Sequence, residues 1–203
     1  IEDDNTRALS LQSGDVDMVQ GIRAGDIALF TDNKDYIVKT TTGTRIEFLV
    51  MNTVKSSLSD KNLRLAINSA VDYETIAKVV GGGAVPARAP FPASAPYGYS
   101  ELNKQTFDLE KTKTLLAEAG YKDTNNDSYV DKDGKNLELN IYGTAGGNTR
   151  ANSTVAELLE SQLKTAGIKA NIKIAENLDE IKKNGEFDLL FQNWQTVSTG
   201  DSQ

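Results

Sequence analysis

The stretch from "NLELNIY" (136–142) to "FDLLFQNW" (187–194) carries the clearest pattern in this sequence. The first segment alternates apolar and polar residues, "IKANIKIA" (168–175) alternates again, and the last is an apolar run, as is typical of strands. Between them, "ANSTVAELLESQLKTA" (151–166) is amphipathic and "NLDEIKKNG" (177–185) is typical of a short helix. This βαβαβ order predicts an α/β fold whose strands are parallel.

The sequence before this unit predicts one more strand and several helices. "RIEFLVMN" (45–52) is an apolar run typical of a buried strand. Asp60, Asp72 and Asp108 each precede a helical pattern, where an N-cap residue is expected. Gly120 follows the third of these patterns, which predicts that the helix ends there in a left-handed turn.

The two remaining stretches have weaker patterns. "TRALSLQSGDVDM" (6–18) predicts a short helix over about residues 6–12 and then a brief strand through Val16 and Met18. All four prolines fall in residues 86–96. Because proline disfavours helix interiors and central strands, we expect a long irregular segment there.

The composition narrows the chemistry that this chain can perform. Its 203 residues are 38% hydrophobic and 25% charged, which is ordinary for a globular protein. The chain has no Cys and no His, so it offers no thiolate or imidazole for nucleophilic catalysis or zinc binding. Its net charge is −7 and its 22 basic residues are scattered among 29 acidic ones, so we expect no nucleic-acid partner.

Two loops are candidates for a ligand-binding crevice, because ligands of open α/β sheets bind beyond the carboxyl ends of strands. "GTAGGNTR" (143–150) follows the first strand of the unit, and a second loop is expected to start at Asn193 and Trp194. If the two strands are adjacent, Trp194 and Arg150 offer an aromatic surface and a positive charge to an anionic or chelated ligand. The alternatives are a core-packed Trp194 and a solvated Arg150.

The glycines of the 143–150 loop leave an enzymatic alternative open. The loop matches neither the G-x-G-x-x-G nor the G-x-x-x-x-G-K-[ST] pattern, so a flexible turn accounts for it equally well. The alternative is an enzyme that binds an anionic cofactor at this loop. Paired acids such as Asp179 and Glu180 are unavoidable among 29 acidic residues, and we assign no catalytic residue.

The acidic loop "DTNNDSYVDKDG" (123–134) has the spacing of an oxygen-ligated calcium loop. Positions 1, 3, 5 and 9 of the EF-hand pattern are filled by Asp123, Asn125, Asp127 and Asp131. The glycine of position 6 and the glutamate of position 12 are missing, since Ser128 and Gly134 stand there. The sequence therefore predicts either a weak calcium site at the four matching residues or an Asx-rich connecting turn.

Five segments in order resemble the solute-binding proteins of peptide, oligopeptide and nickel ABC importers, the family 5 extracellular solute-binding proteins. The resemblance covers nearly the whole chain, and the order of the segments makes it specific. The segments are "TRALSLQSGDVDM", "RIEFLVMNT" with "LSDKNLRLAINSAVDYETIAKVVGGGAVPARAPFP", "FDLEKTKTLLAEAGYKDTNNDSYVDKDGKNLELNIY", "AELLESQLKTAGIKANIKI" and "GEFDLLFQNW".

This resemblance implies a fold and a location. The fold is a periplasmic-binding-protein-like lobe of type II, with a mixed or parallel sheet flanked by helices, in a fragment of a two-lobed protein. Residues 1–40 are expected to be a remnant of the first lobe and the crossover, and residues 41–203 the C-terminal ligand-binding lobe. The implied location is outside the cytoplasmic membrane, either periplasmic or as a cell-surface lipoprotein anchored by a segment outside this chain.

The resemblance also implies a function without catalysis. The protein would capture peptides by closure of two lobes and deliver them to ABC permease subunits; a nickel or metal-chelate cargo is the alternative. The family lines its cleft with the Trp after the last strand and the loop that follows, which adds weight to Trp194. Its dipeptide binders place an Asp three residues after this Trp, where Val197 stands here. We expect a monomer that requires no cofactor.

Overall fold

The computed structural model describes residues 1, 3–41, 43–55, 57–81, 83–87, 106–144 and 153–195, and these residues form both helices and strands. The helices are α1 (Asp4–Ser13), α2 (Ala28–Thr31), α3 (Lys61–Ser69), α4 (Tyr73–Val80), α5 (Leu109–Glu118), α6 (Ser153–Thr165) and α7 (Asp179–Asn184), with a 3₁₀ turn at Ala24–Asp26. The strands are β1 (Arg45–Met51), β2 (Asp131–Lys132), β3 (Lys135–Asn136), β4 (Glu138–Gly143), β5 (Lys169–Ile174) and β6 (Leu189–Gln195). Within these ranges, no helix has the length and apolar character needed to span a bilayer.

The four long strands form one mixed sheet in the order β1-β6-β4-β5. β4 lies between β5 and β6 and is parallel to both, which confirms the predicted parallel βαβαβ unit. β1 is antiparallel to β6, and β2 and β3 form a separate two-stranded hairpin. The result is an α/β architecture with a mixed sheet flanked by helices, as predicted.

β1 is an edge strand among the described residues, which corrects the prediction of a buried strand at residues 45–52. Ile46 is buried, but Phe48 and Val50 are 40% and 36% exposed. An edge strand has a hydrogen-bonded neighbour on one side only, so an apolar sequence does not by itself ensure burial of both its faces. The apolar run therefore predicted the strand correctly and its environment incorrectly.

One face of the sheet carries the hydrophobic core. Leu139 of β4 lies beside Ala170 of β5, and Ile141 of β4 lies beside Leu189 of β6, so their side chains share a face. Helices α3, α5 and α6 cover this face with buried residues, namely Leu63, Ala66, Ile67, Leu116, Leu159 and Leu163. The opposite face of the sheet does not contribute side chains to this core.

The structure confirms the predicted N-terminal boundaries of three helices and the predicted C-terminal boundary at Gly120. Asp60 caps α3, Asp72 caps α4 and Asp108 caps α5, each by accepting hydrogen bonds from backbone N–H groups of the first turn. Gly120 and Gly167 follow α5 and α6 with φ angles of 87° and 78°. This left-handed conformation lets their neighbours donate back to the last carbonyls of each helix, which closes both helix ends.

The N-terminal segment lies apart from this core. α1 forms as predicted and ends at Gly14, but the brief strand expected through Val16 and Met18 does not form. Met18 is 86% exposed, and residues 15–20 pair with no strand in the described chain, so no strand partner stabilises an extended backbone there. A domain boundary near residue 41 stays a prediction. Most of the predicted proline-rich segment, in residues 88–105, lies outside the described residues.

Candidate functional site

Strands β4 and β6 end at the same edge of the sheet. They are adjacent and parallel, with Tyr142 level with Leu190, and they end at Gly143 and Gln195. The sequence predicted a crevice on the condition that these two strands are adjacent, and they are. The segments that follow β4 and β6 therefore leave the sheet from one edge. Arg150 lies outside the described residues, so its contribution to that crevice stays a prediction.

Trp194 is near the end of β6 and 49% exposed. It stands opposite Ile46 of β1, which is only 6% exposed, and it lies outside the hydrophobic core of the described residues. Within the described residues, Trp194 is therefore not packed in the core. A half-exposed tryptophan presents an apolar ring and an indole N–H at the edge where a ligand is expected.

Asn193 lies within β6, so the prediction that a loop starts there is wrong. The strand continues because its pairing with β1 continues, with Asn193 opposite Glu47 and Gln195 opposite Arg45. Successive side chains of a strand point to opposite faces, so the side chains of Asn193 and Trp194 do not share a face. A role of Asn193 in ligand binding stays a prediction, and it would require contact from the other side of the sheet.

The face of β6 that carries Trp194 also carries Gln192 and Leu190. Opposite them on β1 stand Phe48 and Val50, both partly exposed. Leu190 is 3% exposed, so burial falls along β6 towards its carboxyl end. The sequence analysis missed these neighbours, although counting back by two from Trp194 would have found those on β6.

β5 brings a positive charge to this same face. Lys173 of β5 lies level with Tyr142 of β4, and its Nζ is 5.4 Å from the centre of the Tyr142 ring and 3.5 Å from the hydroxyl oxygen. Tyr142 is level with Leu190, so the face is continuous across the three strands. The ring holds the ammonium group by a cation–π contact, which supplies a described cation near the edge for which the sequence had suggested Arg150.

The acidic loop between α5 and β2 is held by hydrogen bonds from its own backbone. Asp123 Oδ2 accepts from the N–H of Ser128 at 3.0 Å. Asp131 is 4% exposed and accepts from the N–H and the hydroxyl of Thr124 at 2.7 and 2.8 Å. These contacts are the Asx-type bonds that the connecting-turn alternative predicts.

Asp127 joins this loop to the following strand. Its Oδ1 accepts from the N–H of Tyr129 at 2.8 Å, and its Oδ2 accepts from the amides of Asn136 and Asn125 at 2.7 and 3.1 Å. These hydrogen bonds hold the pKa of Asp127 below its ordinary value, with the largest contribution from Asn136 and the next largest from Tyr129. Across the described ranges, no three acidic side chains are placed to hold a metal ion. Calcium binding at Asp123, Asn125, Asp127 and Asp131 gains no support from this geometry and stays a prediction.

We expect Asp127→Ala to lower the melting temperature of the full-length protein in buffer containing a calcium chelator, because it removes an acceptor shared by three donors. The lowered pKa means that this stabilisation is present above the ordinary pKa of the carboxyl and is lost as pH falls through the folded-state value. The difference between wild type and variant should therefore shrink in acid. Thermal unfolding monitored by circular dichroism measures it.

A second arm of that experiment addresses calcium. Adding millimolar calcium to the wild type leaves its melting temperature unchanged if the loop is only a turn. A rise that disappears in Asp127→Ala would establish the calcium site suggested by the spacing.

The chain matches the family profile described as "Bacterial extracellular solute-binding proteins, family 5 Middle" over residues 1–203. The chain belongs to this family. This match confirms the resemblance that the order of the sequence segments indicated, and it places the protein outside the cytoplasmic membrane. Family 5 also accounts for the mixed sheet flanked by helices, which is the architecture of the solved relatives.

Family 5 relatives with different cargoes are similar to this chain. The oligopeptide-binding protein AppA of Bacillus subtilis is 29% identical over 99% of this chain, and the nickel-binding periplasmic protein of Escherichia coli is 26% identical over 94%. The chain spans only 38% and 37% of these relatives.

Two solved family 5 structures, both 27% identical to the chain, superpose on 97% of it. NikA from Brucella suis in complex with Fe(III)-EDTA gives a TM-score of 0.84 and is covered to 41% of its length. AppA in complex with a nonapeptide gives 0.72 and is covered to 40%. The fold of this chain is therefore similar to that of one relative solved with a metal chelate and one solved with a peptide.

Proposed function

We propose that the protein is the substrate-binding component of an ABC importer, which captures peptides by closure of two lobes and delivers them to permease subunits. The observation that carries this proposal is Trp194, half-exposed at the edge where β4 and β6 of a family 5 chain both end. An aromatic ring at this edge offers a flat apolar contact for a peptide. We propose that the protein acts as a monomer.

The face around Trp194 suits a peptide in a second respect. Phe48 and Val50 add partly exposed apolar surface on β1, and Lys173 adds a positive charge on β5. Apolar walls with a few placed polar groups are the usual lining of a ligand site. The relative AppA, named for oligopeptide binding, supports peptide as the first choice of cargo.

A metal chelate is the second candidate cargo. The solved NikA complex with Fe(III)-EDTA, with its TM-score of 0.84, favours it. The chain itself has no His and no Cys, so these 203 residues offer a bare nickel ion none of its preferred nitrogen or sulfur side-chain ligands. We propose that any metal cargo is recognised as a complex with an organic chelator.

The proposed function involves no covalent chemistry. Of the loop at residues 143–150, where an anionic cofactor was the enzymatic alternative, only Gly143 and Thr144 belong to the described residues. Belonging to a family of solute-binding proteins supports binding without catalysis. Nucleotides should accordingly give no thermal protection to the full-length protein.

Isothermal titration calorimetry of the full-length protein tests the cargo. The protein is titrated in parallel with alanine oligopeptides, with Ni(II)–L-histidine and with Fe(III)-EDTA. We expect saturable binding of peptides and little heat from the two chelates. Saturation by a chelate alone would replace the first candidate with the second. A folded protein that binds neither class would refute both.

A further inference from the structure

Gln192 has a buried acceptor that lacks a partner. Its Oε1 is shielded from solvent, and no donor within the described ranges forms a hydrogen bond with it. A buried polar atom without a partner costs about 1–3 kcal/mol, so such atoms are rare unless something else satisfies them. A buried acceptor that persists in this way needs an explanation.

The position of Gln192 indicates where a partner would come from. Along one face of β6, Leu190 is 3% exposed and Trp194 is 49% exposed, with Gln192 between them. Directly across on β1 stands Phe48, which is 40% exposed. Neither Leu190 nor Phe48 has a side-chain donor, and exposure along this face of β6 rises from Leu190 to Trp194.

We propose that Gln192 is a specificity-determining residue whose Oε1 accepts a hydrogen bond from an N–H or O–H group of the cargo. This inference rests on the proposed function and narrows it. A peptide carries many N–H donors along its backbone. The polar outer atoms that EDTA presents in a chelate such as Fe(III)-EDTA are carboxylate oxygens, which accept hydrogen bonds and do not donate them. A fixed acceptor beside Trp194 therefore favours a peptide over a carboxylate chelate such as Fe(III)-EDTA, which would leave the acceptor unpaired.

Gln192→Leu in the full-length protein tests this assignment. The variant replaces the amide, and with it the acceptor, by an apolar side chain of comparable size. We expect its affinity for the best-binding alanine oligopeptide to fall roughly 2- to 10-fold, as expected for loss of one hydrogen bond. The melting temperature of the ligand-free variant should equal or exceed that of the wild type, because an unpaired buried atom is gone. Calorimetry and thermal unfolding measure the two quantities.

Two further variants control the experiment. Gln195→Leu makes the same chemical change on the opposite face of β6, where Gln195 accepts from Arg45 at 3.3 Å, and should leave peptide affinity unchanged. Gln192→Glu keeps an acceptor oxygen at the position and should retain more peptide affinity than Gln192→Leu.

The outcomes separate this inference from the function on which it rests. A wild type that binds no peptide refutes the proposed peptide function, and this inference with it. Peptide binding by the wild type that Gln192→Leu leaves unchanged refutes this inference alone. A lower melting temperature of ligand-free Gln192→Leu, with unchanged affinity, would show that another part of the full chain pairs with the amide. Weaker Fe(III)-EDTA binding by the variant would show that the amide donates through Nε2, which also overturns the assignment.

Discussion

Trp194→Ala is expected to weaken peptide binding by the full-length protein roughly 30-fold or more. Truncating an aromatic residue at the centre of a binding surface typically costs about 2–4 kcal/mol, and each 1.4 kcal/mol is a factor of ten in affinity. The side chain is 49% exposed in the described chain, so its free surface is available to a cargo. Titration calorimetry with the same alanine oligopeptides measures the loss.

The same variant should change stability little. Trp194 lies outside the hydrophobic core of the described residues, and half of its surface is already exposed. Trp194→Phe keeps an apolar ring and should retain most of the affinity, while Met18→Ala, at a side chain 86% exposed on the N-terminal segment, serves as a surface control. Equal peptide affinities for wild type and Trp194→Ala would remove Trp194 from the site.

Local chemistry explains which parts of this fold could be predicted from sequence. Asp60 and Asp108 begin helices by accepting hydrogen bonds from residues two or three positions later, so the information lies within one turn. The parallel order of β4, β5 and β6 follows from helices alternating with strands over residues 136–194. Both features depend on neighbours along the chain.

Distant contacts explain what could not be predicted. The continuation of β6 through Asn193 depends on its pairing with β1, about 145 residues earlier in the sequence. The same pairing decides that Phe48 lies beside Gln192 on a partly open face. Sequence alone suggested Trp194 as a site residue. That Trp194 and Asn193 point to opposite faces, and which residues of β1 stand beside them, follows only from the strand and its register.

Asp188→Ala is expected to destabilise the protein by about 1–3 kcal/mol, since it leaves a partly buried backbone N–H without an acceptor. Asp188 is 6% exposed and immediately precedes β6. Its Oδ2 accepts from the N–H of Asn140 in β4 at 2.8 Å, while its backbone carbonyl accepts from the N–H of Asn52 at 2.8 Å. One residue thus ties β6 to β4 and to the end of β1. Denaturant unfolding followed by circular dichroism measures the change.

Two control variants distinguish strand alignment from charge pairing as the role of Asp188. Lys55 Nζ lies 3.6 Å from Asp188 Oδ1, but the Lys55 side chain is 35% exposed, so this ion pair should contribute below about 1 kcal/mol. Lys55→Met should therefore be mild, and Asp188→Asn, which keeps an oxygen for the N–H of Asn140, should fall between it and Asp188→Ala. Equal losses in Lys55→Met and Asp188→Ala would make the ion pair the dominant interaction. Asp188 immediately precedes β6, and Trp194 lies near the opposite end of that strand. The folded Asp188→Asn variant should therefore bind peptide with the affinity of the wild type. Such a result would show that the stability of the sheet and ligand recognition at its edge depend on different residues.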